Sequence, residues 1–224
     1  MKPTRKSALV AGIALLVMAV AAGFTYGYIH NTLVVPGNSE ATLNNLESHQ
    51  FLFTLEILGW IFILLCDVVV AWALYVFFRN ENRRLSLFTA ATRIIYSAIL
   101  GAAIYYLIQV NGTESVNIVM SYLHNFENTW SLGLIIFGFH LFLLGALVLK
   151  SKRIHNFWGI VLVFAAVSYV IIYSSKLLLP EFENQVIAVE TILSLPMAFG
   201  EIGFAFWLII RGGKPKIVFK QANG

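Results

Sequence analysis

Six apolar stretches, each about the length of a bilayer crossing, constrain this chain more than any other feature. They run over residues 8–28, 51–78, 85–108, 129–149, 157–179 and 186–210. A helix needs about 20 apolar residues to cross some 30 Å of hydrocarbon. Strands of a membrane barrel would be about ten residues long and would alternate in polarity. These stretches are long and do not alternate, so they predict helices, which satisfy their own backbone in lipid. Composition agrees: 59% of the 224 residues are apolar and 12% are charged, against about 25% charged in soluble domains. The expected fold class is all-α, a polytopic integral membrane protein with six transmembrane helices in one bundle. One domain covers residues 1–224.

The basic residues set the expected orientation. Lys2, Arg5 and Lys6 precede the first stretch, and Arg79, Arg83 and Arg84 separate the second from the third. Lys150, Lys152 and Arg153 separate the fourth from the fifth, and Arg211, Lys214, Lys216 and Lys220 follow the sixth. The alternate loops hold Lys176 and the acids Glu40, Glu47, Glu114, Glu127, Glu181 and Glu183. The positive-inside rule then predicts that both termini are cytoplasmic. The net charge of +4 is a topology signal, and nucleic acid is not an expected partner. The first stretch also resembles a cleavable signal peptide, with a basic start and "AVA" at Ala19–Ala21. Its apolar run continues to Tyr28, longer than a signal core, so an uncleaved span is expected.

Two outer loops carry further signals. Pro36-Gly37 marks a turn, after which Ser39 is the expected cap of a short helix leading into the second span. Residues 116–130 place Val116, Val119, Met120, Leu123, Phe126 and Trp130 at helical spacing, as in a helix on the membrane surface or over the bundle's mouth. Asn111–Thr113 matches a glycosylation acceptor but reads as an ordinary turn.

Charges within the spans are the candidate functional residues. Measured from the nearest basic residue at the span's end, Asp67 lies ~18 Å deep, Arg93 ~14 Å, and His140 and Glu201 ~15 Å each. Four ionisable groups on four helices therefore fall in one layer. Each formal charge facing lipid alone costs ~2.5–3.5 kcal/mol, so a buried Asp67–Arg93–His140–Glu201 network is predicted. Arg93 is its one fixed cation, with a planar fork suited to a carboxylate. Two ionised acids would leave one negative charge in excess, which a shared proton or a charged His140 would balance. Pro196, five residues before Glu201, is expected to kink the last span.

Intramembrane ionisable residues mark ligand, ion or proton sites by default. The leading expectation is therefore small-ligand, ion or proton binding in a sensing or transport role. One alternative is a membrane-embedded enzyme using the same residues, with Asp67, His140 and Glu201 as a weak candidate metal set. Another is a structural protein whose polar layer only orients its helices. Only His140 among the histidines is expected to lie deep, since His30, His49, His124 and His155 belong to span ends or loops. Paired haem ligation is accordingly disfavoured and no cofactor is expected. Glu56, Glu190 and Lys176 are expected at the outer boundary, solvated. The single cysteine, Cys66, excludes an internal disulfide and CxxC chemistry. Motifs of serine hydrolases, P-loop nucleotidases and dinucleotide binders are absent from the sequence.

Several stretches together resemble a known family. They are "LVVPGNSEATLNNL", "LLCDVVVAWALYVFFRNENRRLSLFTAATRI", "GLIIFGFHLFLLGALVLKS" and "LPMAFGEIGFAFWLIIRG". The chain is similar over nearly its whole length to the bacterial six-span membrane proteins known as domain of unknown function 4386. The resemblance implies a mid-span acid at Asp67, the third-span arginine at Arg93, a Phe-Gly-x-His stretch at Phe137–His140 and a late acid at Glu201. It implies a bacterial plasma membrane and carries no activity. Two positions depart from the family pattern: Asn38 stands where an acid is usual, and His155-Asn156 where Pro-Arg is usual.

Overall fold

A computed structural model describes residues 3–113 and 115–214. Lys2, Glu114, Lys216 and Lys220 lie outside the described residues. Helix α1, Pro3–Ala22, widens into π-helical turns over Gly23–His30 and ends in the short α2, Asn31–Leu33, as one rod. Helices α3 (Ser39–Ser48), α4 (Gln50–Phe78), α5 (Arg83–Val110), α6 (Val116–Lys150), α7 (Asn156–Leu178) and α8 (Glu183–Ile210) follow, with a 3₁₀ turn at Pro180–Phe182 before α8. Among the described residues there is no strand. Six helices are long and apolar enough to cross a membrane.

The predicted spans are present and mostly run longer. The stretch expected as a separate surface helix, residues 116–130, is the start of the 35-residue α6. Its Val119, Leu123 and Phe126 are buried within the bundle, so no break is needed to hide its apolar face. The cap of α3 is Asn38 rather than Ser39: Asn38 Oδ1 accepts from the Ala41 backbone N–H at 3.0 Å. An Asn oxygen caps a helix as well as a carboxylate does, which accommodates the departure from the family pattern. The second departure is also a cap, since His155 Nδ1 accepts from Phe157 N–H at 3.2 Å at the start of α7. Asn111–Thr113 forms a tight turn with Gly112 at φ +80°.

The spanning helices form a ring in chain order. Helix α1 packs on α4, α4 on α5, α5 on α6, α6 on α7, α7 on α8, and α8 returns to α1. Outward positions such as Ile13, Leu65, Trp72, Ile160 and Leu195 are exposed, as a lipid-facing wall requires. Small residues bring the rods together, as in other membrane bundles. A Cβ on Gly145 of α6 would stand 3.0 Å from the Gly159 carbonyl of α7 and 2.7 Å from Val163 Cγ2. A Cβ on Gly12 of α1 would stand 2.8 Å from the Ala205 carbonyl of α8. At the same seam Arg5 donates to the carbonyls of Leu208 (3.1 Å), Gly212 (2.8 Å) and Ile209 (2.5 Å). The last carbonyls of a helix lack a full set of partners; Arg5 bonds these at and just beyond the end of α8, where the Leu208 carbonyl also accepts from Gly212 N–H at 3.1 Å. We call the end of the ring with the termini the terminal face and the other the distal face.

Candidate functional site

Helix α4 supplies the lumen with a stripe at steps of four and three: Glu56, Trp60, Ile63, Asp67 and Val70 are all buried. Facing it, α5 presents Arg93 and α6 presents His140. Arg93 Nη2 donates to Asp67 Oδ1 at 2.5 Å and Nη1 donates to His140 Nε2 at 3.1 Å. The guanidinium carbon lies 5.3 Å from the centre of the Phe137 ring, and Nη2 is 3.8 Å from Met18 Sδ on α1. Four helices thus meet on one side chain.

The bonding fixes the state of His140. Arginine has no acceptor, so Nε2 must carry the lone pair. Nδ1 is 2.8 Å from the Thr89 carbonyl, which has no proton to give, so Nδ1 carries the hydrogen. His140 is a neutral Nδ1–H imidazole, and the charges in contact are one cation and one anion. This removes a charged His140 from the expected charge balance.

Glu201, the fourth residue of the expected network, is not in contact with Arg93. It lies half-buried on α8 and accepts a hydrogen bond from Tyr169 OH at 2.9 Å. The residue count from a basic anchor carries no direction around the ring: α8 sits between α7 and α1, whereas Arg93 reaches toward α4 and α6. The candidate metal set does not gather either. Both nitrogens of His140 are engaged, and no three His, Cys, Asp or Glu side chains are placed to share an ion among the described residues. Pro196 lies inside α8, where it withdraws one hydrogen bond from the helix.

Asp67 and Glu201 nevertheless share a space. A cavity of about 320 Å³ lies within the ring, walled by residues of all six spanning helices. Asp67, Glu190 and Glu201 line it, together with Trp60, Trp130 and Tyr169. Glu190 is paired, with Lys176 Nζ at 2.7 Å and Tyr173 OH at 2.8 Å. Asp67 Oδ2 and the indole N–H groups of Trp60 and Trp130 are buried without a partner among the described residues.

A second buried polar group lies nearer the distal face. His30 Nδ1 is 2.6 Å from Glu56 Oε1 and Nε2 is 3.5 Å from Glu127 Oε1. His30 is 3% exposed and Glu56 0%, so neither is the solvated boundary group expected from sequence. With both acids ionised, the ring donates from both nitrogens and is an imidazolium. Tyr26 stacks on it at 5.1 Å. Glu56 was legible in principle: it precedes Asp67 by eleven residues, three turns, and so shares its face. His30 was not, because the π-helical turns of α1 take more residues per turn and change the face on which it emerges.

The family described as "Domain of unknown function (DUF4386)" matches residues 10–212. An "Uncharacterized protein" of Archaeoglobus fulgidus is 34% identical over 159 residues, covering 71% of this chain and 85% of that protein. No solved structure matches the chain.

Proposed function

We propose that this chain, which belongs to the domain of unknown function 4386 family, binds a small ligand within the membrane, in the lumen of its helix ring, in a sensing or transport role. One observation carries the reading: the ring surrounds a cavity of about 320 Å³ whose wall holds the carboxyl group of Glu201 with no cationic partner among the described residues. Ligand sites are concave, mainly apolar, and marked by a few convergent polar groups. Asp67 Oδ2 and the indole N–H groups of Trp60 and Trp130 add unpaired polar atoms on the same wall. The bilayer is the plasma membrane in this proposal. Both termini lie in the cytoplasm, on the strength of the basic residues clustered at the terminal face. The enzyme alternative has less support, because Asp67 and His140 are tied to Arg93 while Glu201 stands across the lumen.

The test fills the cavity. Ala22, on the wall, is changed to Phe. Melting of purified wild type and Ala22→Phe is followed with protons, alkali cations, amino acids and amines as solutes. A specific ligand at about 100 times its Kd adds roughly 2.7 kcal/mol. That gain is expected for wild type and not for the variant. Equal stabilisation of both by every active solute would remove the luminal site.

A further inference from the structure

The seam between α1 and α8 is closed along only part of its length. On α8, Ala205, Leu208 and Gly212 face α1 and are buried, the first two at 0% exposure. Their continuation on the same helical face, Ile187, Thr191, Ser194, Ala198 and Ile202, is exposed. The change occurs at the level of Glu201. On α1 the contacts with α8 made at Arg5, Ala8 and Gly12 likewise lie in the terminal half. Ser194, Ala198 and Ile202 are exposed and yet belong to the cavity wall. The cavity therefore opens sideways, between the distal halves of α1 and α8, at a height where the outer surface of the ring is apolar. Pro196 lies within that half of α8, where a missing backbone bond makes bending easier.

Charge defines what suits this space. Asp67 is matched by Arg93 and Glu190 by Lys176. Glu201 has only a tyrosine hydroxyl, so it is the acid of this wall without a basic partner among the described residues. The same cavity is lined by Trp60, Tyr96, Trp130 and Tyr169, the last bonded to Glu201. Indole and phenol faces attract cations, more strongly where water is excluded. Asp67, 1% exposed, keeps Oδ2 without a partner on the same wall. A volume near the lower limit for ligand pockets suits one chain and not a two-chain lipid.

We infer that the lumen takes a single-chain amphiphilic amine from the bilayer through the opening between α1 and α8, with the ammonium at Glu201 and the tail folded into the lumen against Trp60 and Trp130. This rests on the luminal-binding reading above and adds the ligand class and its route.

The full-length protein in phosphatidylcholine nanodiscs is titrated with ω-bromoundecylamine, ω-bromoundecanol and ω-bromoundecanoic acid. Bromine quenches the fluorescence of Trp60 and Trp130 on contact. The amine is expected to quench saturably, and the alcohol and acid only in linear proportion to their concentration in the lipid. Glu201→Gln should weaken the amine by roughly tenfold or more, the loss of a charge-assisted contact. Ala198→Phe should slow the amine's approach without abolishing it, while Leu195→Phe, on the lipid face, should do neither. Alcohol or acid binding as tightly as the amine would overturn the ammonium and leave luminal binding standing. An approach rate unchanged by Ala198→Phe would overturn the lateral route. Absence of saturable quenching by all three would overturn the whole inference, with the Ala22→Phe comparison still deciding the reading beneath it. Should Glu201→Gln not be recovered folded, the wild type's preference for amine over alcohol of equal length decides the charge.

Discussion

At Arg93 a side chain that can only donate meets a carboxylate, an imidazole nitrogen and a thioether. Removing one partner of a buried ion pair leaves a charge uncompensated and costs about 3–5 kcal/mol. Asp67→Asn and Arg93→Gln are each expected to destabilise the detergent-solubilised protein by that amount. The double variant should lose at least 1 kcal/mol less than the roughly additive sum. Independent effects in chemical or thermal unfolding would show that the two charges do not support one another. His140 offers a finer comparison. Gln can accept from Arg93 through its oxygen and donate to the Thr89 carbonyl through its nitrogen, as the neutral imidazole does. Leu can do neither, and its unmet partners should cost about 1–3 kcal/mol. His140→Gln is thus expected to melt near wild type and His140→Leu well below it. Two variants melting together would contradict the assigned tautomer. Counting residues from a basic anchor put all four at one expected height, and of these Asp67, Arg93 and His140 meet. That count gives height. It gives no bearing around the ring, which is why Glu201 was expected on Arg93 and stands instead on Tyr169.

Among the elements, glycine contacts decide how near α6 and α7 approach. Gly145→Val places a branched side chain against the Gly159 carbonyl and Val163, and overpacking of this kind costs about 1–3 kcal/mol. Gly23→Ala meets nothing within 4 Å and serves as the matched control in the same melting experiment. The helix start at Ser39 is equally open to test. Asn38→Ala should lose about 0.5–2 kcal/mol while Asn38→Asp keeps the cap, read from the same melts. At this scale the sequence spoke clearly where length and hydropathy decide, and six rods were expected and found. It spoke poorly where one helix passes into another. Nothing in residues 116–130 distinguishes a surface helix from the first turns of α6, because both need the same apolar spacing. The widened turns near His30 have no composition of their own, so a histidine assigned to a span end is buried against two carboxylates.

Taken whole, the molecule is a ring whose lumen mixes acidic and aromatic side chains, and the seam of α1 with α8 joins its first and last spans. Arg5 holds three carbonyls there with a planar fork, a geometry that lysine cannot reproduce. Arg5→Lys and Arg5→Ala are both expected to raise amide exchange at Leu208–Gly212 while α5 and α6 stay protected. Protection lost evenly throughout the ring would mean that the clasp is not local. The clasp also bears on biogenesis. Five of the spans precede α8 along the polypeptide, so until it inserts, the nascent protein is an open crescent with Asp67 and its neighbours on the concave side. Acyl chains are poor company for that surface, and an insertase or a held water file must shelter it. Arg5 waits for partners 203 to 207 residues downstream, and its docking marks the moment at which the crescent becomes a closed wall.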